Sequence, residues 1–265
     1  MPNFVPEEAI KHLYKFRSLA LESREFTERI LTENELYFSR PSAFNDPFDC
    51  LPVMSLEAPD PEFLKYLIAL YKRRMPGMSR TERKANAKIV LKDRKRNHRS
   101  SDALATLQEG MQEATNSAGV LSLAEHPDHV LMWAHYADSH RGICLRFRAS
   151  STTPFFGYAQ RVHYQVERPA VNLINDSPHV QSEKALLTKA DFWSYEREWR
   201  IVEHEKGPGV QRFPPELLDG LVLGARILKE DKERMLALAK DRSEPLQVFE
   251  ARISATKFAV EIHEI

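Results

Sequence analysis

A chain of 265 residues, 42% of them hydrophobic, is long enough to bury one sizeable core. Thirty-eight Lys and Arg balance thirty-eight Asp and Glu, so no global field draws it to nucleic acid or an anionic membrane. No apolar run approaches the roughly 20 residues that span a bilayer, Met1-Pro2-Asn3-Phe4 lacks the basic and apolar regions of a signal peptide, and two cysteines make no disulfide framework; the expectation is a cytoplasmic protein with free thiols at Cys50 and Cys144.

Residues 11–16 read as a short first strand or turn. A helix follows over 25–33, where Phe26, Ile30 and Leu31 share a face at helical spacing. Leu36 to Ser39 is a short strand stopped by Pro41, and Asn45-Asp46-Pro47 is a turn. Residues 60–115 read as wholly helical, in three pieces. The first starts near Asp60-Pro61, the second near Thr81-Glu82, and the third near Asp102 with Leu104, Leu107 and Met111 inward. After Ser117 the pattern changes to strands at 120–123, 143–148, 161–166, 196–203, 221–227, 246–253 and 258–265. Helices at about 126–139, 180–187 and 229–240 interrupt them, with Gly142 past the end of the first. The strands mostly follow one another without regular helical crossovers. The expected class is therefore α+β with a mixed, mostly antiparallel sheet, one domain over 1–265, and a helical insertion at about 60–115.

Three blocks mix charged or amide groups with large rings: FNDPFDC (44–50), MWAHYADSHRG (132–142) and WSYEREWR (193–200). Surface has the charges without the rings and core has the reverse, so the blocks point to one walled site. On a strand, Glu196, Glu198 and Arg200 would share a face, with the two carboxylates about 7 Å apart. Arg200 could hold one while the other acts. On a helix, Met132, His135 and Tyr136 share a face, as do Trp133, Tyr136 and His140. His135 is then a candidate acid or base, set against the alternative of a core histidine bonded to a carbonyl. Asn45 and Asp46 either point into the site or bond their own turn. Four nearby histidines, His126, His129, His135 and His140, lack metal-ligand spacing, so no metal is expected. The run from Lys72 to Arg99 carries twelve Lys or Arg against Glu82 and Asp93. It could face nucleic-acid phosphates or be a solvated helix pair.

The ordered succession LYKFRSL (13–19), ILTENELYFSRPSAFNDPFDC (30–50), MWAHYADSHRGICLRF (132–147), VHYQVERP (162–169) and KADFWSYEREWRIV (189–202) resembles the bacterial domain-of-unknown-function family 2971. That family name carries no activity. The opening LYKFRSL, helix, LYFSRPSAFNDP is also similar to ADP-ribosyltransferase-like domains, which implies a split sheet and NAD as substrate. Carried over by position, Arg17 would contact NAD, Tyr37 and Ser39 would line the nicotinamide pocket, and Glu196 or Glu198 would take the late glutamate's role. The first strand departs from a plain His-x-Thr, and MWAHYA has no counterpart there.

Three functions remain. The first is an NAD-dependent ADP-ribosyltransferase-like enzyme, a toxin or phage-defence effector. In it Arg17 binds pyrophosphate, Tyr37, Trp133 and Tyr136 wall the ring, His135 bonds a ribose, and Glu198 or Glu196 is catalytic. The second is a nucleotide or nucleic-acid binding module without chemistry. The third is a hydrolase holding a divalent metal on Asp46, Asp49, Glu196 and Glu198.

Overall fold

The computed structural model describes residues 10–96 and 101–265, and their side chains except at 95–107. The chain opens with β1 (His12–Arg17), α1 (Leu21–Thr32) and β2 (Glu35–Phe38). After β3 (Val53–Ser55) come α2 (Asp60–Arg74), α3 (Arg80–Arg96) and α4 (Ser101–Asn116). Then follow β4 (Gly119–Ala124), α5 (Val130–Tyr136) and β5 (Ile143–Arg148). Short pieces come next: β6 (Gln160–Arg161), β7 (His163–Gln165), β8 (Ala170–Asn172), α6 (Pro178–Leu186) and β9 (Thr188–Ala190). The chain closes with β10 (Glu198–Glu203), β11 (Gly209–Arg212), β12 (Leu218–Leu223), α7 (Lys229–Lys240), β13 (Gln247–Ile253) and β14 (Val260–Glu264).

Eight strands form one sheet in the order β14-β13-β12-β5-β1-β4-β10-β6. Within it only β12 and β13 are parallel, because α7 carries the chain back between them. The class is α+β with a mostly antiparallel sheet. Side chains alternate across β1, so Leu13 joins the large core with Ile30, Leu31, Leu145, Phe147 and Met235, beneath α1 and α7. Phe16 faces the other way and packs with Trp133, Cys144 and Val222 under α5. The thiols of Cys50 and Cys144 are free and buried. No helix among the described residues is long and apolar enough to cross a membrane.

One irregularity of the sheet positions the site. β1 pairs with β5 along its whole length, from His12↔Arg148 to Arg17↔Ile143. On its other side it meets β4 at a single pair, Tyr14↔Ala124. Beyond that pair the two strands splay, and the far end of β4 is held instead by the bridge Ser39↔Val120. The opening between β1 and β4 is bounded at both ends by these contacts.

Helices fill 60–116 in three pieces, with residues 97–100 outside the description. α2 and α3 pack through Phe63, Leu67 and Ala87. α3 begins at Arg80, one residue before the Thr81 signal. The Ser79 hydroxyl accepts from Glu82 N–H, and the Glu82 carboxylate accepts from Ser79 N–H, a reciprocal cap. The side chains of Leu104, Leu107 and Arg99 lie outside the described residues.

Two expected elements are corrected. The helix expected to reach Ser139 stops at Tyr136, because Asp138, Ser139 and His140 take positive φ and Gly142 N–H closes the turn on Ala137 O at 2.8 Å. Such left-handed residues cannot continue an α-helix. Glu196 is also not on a strand. Residues Asp191–Glu196 form a tight helical turn, Arg197 is left-handed at φ 42°, and the strand starts at Glu198.

Candidate functional site

A cavity of about 290 Å³ opens where β1 and β4 splay. Tyr14, Lys15 and Phe16 contribute from β1, and Ser122 to Ala124 from β4. Ser39, Phe44, Asn45 and Asp49 form one wall, Met132 and Tyr136 of α5 another, and Lys189, Glu196, Glu198 and Arg200 the floor. Consecutive residues of β1 reach the same space because the missing ladder opens the sheet from face to face. Lys15 spans the opening, its ammonium donating to Ser122 O at 2.8 Å.

The floor is a network of buried charges. Arg200 is fully buried, at 0% exposure. Its guanidinium donates to both oxygens of Asp49 (3.0 and 2.7 Å), both oxygens of Glu198 (2.7 and 3.0 Å) and Leu186 O (2.8 Å). Such fork-shaped pairing is what makes a buried guanidinium tolerable. The ammonium of Lys189 lies between Glu196 (2.5 Å) and Glu198 (3.1 Å), 3.7 Å from Asp49. The Tyr136 hydroxyl donates to the other oxygen of Glu196 at 2.5 Å, and Asn45 in turn bonds Tyr136.

These surroundings drive the two glutamates apart. Burial alone would raise Glu198, but Arg200 and Lys189 hold it down at about 2. For Glu196 burial prevails, reinforced by the charge of Glu198, and its pKa lies above the ordinary carboxylate value despite Lys189 and Tyr136. Lys189 is carried upward by Glu198 and Glu196, against a burial penalty that alone would lower it. Lys15 is lowered to about 8, first by burial and then by the neighbouring Arg17 charge. Tyr136 is raised by burial and by the Glu196 carboxylate.

The left-handed turn at Arg197 makes the double carboxylate floor. It redirects the chain so that both Glu196 and Glu198 are buried, while the Arg197 guanidinium points outward to His126 at 2.8 Å. The turn is anchored by Trp193, whose indole N–H donates to Asp46 at 2.8 Å and whose ring lies 5.0 Å from the Lys189 ammonium. Asp46 also accepts from Phe48 N–H at 2.9 Å, the turn bond expected for Asx before proline. The phenyl ring of Phe44 lies 5.2 Å from the Arg200 guanidinium. Contacts from Trp193 to Asp46, Arg200 to Asp49 and Tyr136 to Glu196 thus tie the three polar-aromatic blocks together.

Of the residues singled out in the sequence, Ser39, Asn45, Tyr136, Glu196, Glu198 and Arg200 line this cavity. Asp46 sits directly behind its wall. Arg17 and Tyr37 lie in a smaller cleft of about 40 Å³ against α1, which shares Lys15 with the main cavity. Burial lowers the Arg17 pKa, and its guanidinium donates to the Thr27 hydroxyl at 3.2 Å. Two residues fall elsewhere. Trp133 is wholly buried, edge-on to Phe16 at 5.2 Å, with its indole N–H on Pro127 O; it is core, not wall. His135 is exposed outside the cavity, its ring 6.4 Å from that of Trp193, because α5 turns Met132 and Tyr136 inward and His135 away.

Lys15, Lys189 and Ser122 went unmarked in the sequence. The one available signal was a lysine set between the rings of Tyr14 and Phe16. Asp49, considered only as a metal ligand, is instead a partner of Arg200. The described residues include no group of three or more His, Cys, Asp or Glu that could hold a metal ion. Lys189 and Arg200 already occupy the space between the carboxylates, so this donor set fits a metal poorly.

The fold and floor define a class: an α+β fold with one mostly antiparallel sheet and a charge-lined cavity where β1 and β4 pair at a single position. Residues 132–201 match a family described as "Protein of unknown function (DUF2971)". The matched segment carries Tyr136, Lys189, Glu196, Glu198 and Arg200, and the β1 and FNDPFDC walls lie outside it. No curated protein and no solved structure matches the chain.

Proposed function

We propose that the cavity cleaves the N-glycosidic bond of a nicotinamide dinucleotide, with Glu196 as the reacting carboxyl and Glu198 as the fixed charge that positions it. The observation that carries this reading is the unequal saturation of the two glutamates. A carboxylate offers about four acceptor positions. Those of Glu198 are filled by Arg200 twice, by Lys189 and by the Ser122 hydroxyl. Among the described residues Glu196 accepts from Tyr136 and Lys189 alone, and it lines the cavity with acceptor capacity to spare. Two titratable groups pushed to opposite sides of their ordinary value are the usual arrangement for acid and base work.

Glycosidic cleavage passes through an oxocarbenium-like transition state. As the ribose carbon–nitrogen bond breaks, its electron pair leaves with nicotinamide. Glu196, ionised, stabilises the cation and takes the proton of the attacking water or acceptor hydroxyl. Tyr14, Phe16, Phe44 and Tyr136 supply ring surfaces. Ligand cavities generally run from about 300 to 1,000 Å³, so this one suits a ring and its sugar, not a whole dinucleotide. The anionic remainder would extend past Lys15 toward Arg17 and Tyr37 in the adjoining cleft.

The test is nicotinamide release from NAD by the purified protein between pH 5 and 9, beside the near-isosteric variant E196Q. Acid–base groups contribute about 10²- to 10⁴-fold, so kcat should fall at least 100-fold with the melting temperature retained. Release by E196Q at the wild-type rate, or NAD bound without turnover by the wild type, would refute the reaction.

A further inference from the structure

We infer that α3 carries a docking stripe for the phosphate backbone of nucleic acid, independent of the reaction proposed above. Arg80, Lys84, Lys88 and Lys92 recur every four residues and are all exposed. Four residues advance a helix by about 6 Å, so these cations stand in one row about 18 Å long. Like charges one turn apart repel each other, and no ion pair joins any of the four to an acidic side chain among the described residues. Two neighbouring cations, Arg94 and Arg83, have structural duties. Arg94 turns inward, its guanidinium 4.3 Å from the ring of Phe63, and Arg83 donates to Met78 O at 2.8 Å. Lys72, Arg73 and Arg74, exposed at the end of α2, add to the field beside the turn into α3.

The geometry favours a regular polyanion. A duplex strand presents its phosphates at a regular repeat, and a row of cations regularly spaced by about 6 Å is matched to such a polyanion. A membrane surface fits poorly. The apolar side of α3, with Ala87, Val90 and Leu91, is used up against Phe63 and Leu67 of α2. Ile89, exposed beside the stripe, is too little apolar surface to insert. Contacts made only by a row of cations position a backbone and read no sequence.

The test uses the full chain and a fluorescein-labelled 20-base-pair duplex, with anisotropy read from 50 to 200 mM NaCl. Four phosphate contacts at about −0.9 each predict a slope of log K against log salt near −3.6. K84Q/K88Q should bring the slope near −1.8 and weaken binding at least tenfold at 100 mM, and R80Q/K92Q, at the ends of the stripe, should repeat the result. The control K229Q/K257Q, on other surfaces, should match the wild type. No binding at 50 mM, an unchanged slope in both stripe variants, or capture of polyglutamate but not DNA would overturn the inference.

Discussion

Replacing Arg200 by Met tests the central physical claim, that the cavity floor is a closed set of buried charges. Met keeps much of the apolar stem and deletes the guanidinium. Four hydrogen bonds to carboxylate oxygens and one to Leu186 O disappear together. Asp49 and Glu198, 7% and 4% exposed, are left with Lys189 as their one ion-pair partner among the described residues. Removing one partner of a buried pair costs roughly 3–5 kcal/mol, against a total stability of about 5–15 kcal/mol. At roughly 2 °C per kcal/mol for a chain of this length, the midpoint should fall by about 6–10 °C. The pH dependence has a definite sign. In the wild type Glu198 is held at about 2, below its ordinary 4.5. Its contribution is therefore present above about pH 4.5 and lost as pH falls toward 2. Without Arg200 that depression is gone, so the deficit of the variant should be largest near neutrality and shrink below pH 4.5. Urea unfolding followed by tryptophan fluorescence at pH 7 and pH 4 measures both. A deficit under about 1 kcal/mol at pH 7, or one that grows on acidification, would refute the buried-network reasoning.

Lys15 ties activity and stability to alkaline pH. If its ammonium holds the anionic part of the substrate, kcat/KM should fall as pH rises through about 8, and K15R should move that limb upward. Because its folded pKa lies below 10.5, charging opposes folding, so wild-type stability should gain between pH 8 and 10.5 relative to K15M, as read by urea unfolding. Tyr136→Phe removes a bond that lowers the Glu196 pKa, and the acidic limb of the pH–rate profile should move to higher pH while the fold is retained. Gly142→Ala would place a Cβ 2.1 Å from Arg17 O and 3.0 Å from the Ala137 Cα, both backbone atoms. A loss of roughly 1–3 kcal/mol or more is expected in thermal unfolding, and an unchanged midpoint would mean this crossing is looser than described.

Local pattern determined much of this protein. The 229–240 helix and the 143–148 strand fall where their spacing predicts, because an amphipathic period and a run of alternating residues carry their own instruction. The union of the three polar-aromatic blocks was also legible, since rings and charges that share a short stretch must find partners. What a chain read in order does not contain is the opening between β1 and β4. It exists because those strands pair only at Tyr14↔Ala124, and it turns Lys15 from an ordinary strand lysine into a cavity group. The break at Arg197 is likewise hidden, for Trp193 is held by Asp46, 147 positions away. The same holds for which ring is wall and which is core: Tyr136 and Trp133 sit one turn apart, and only the sheet beneath them separates their roles. Buried charge is the most tertiary property of all. Asp49 and Arg200 stand 151 residues apart, and neither could leave water without the other.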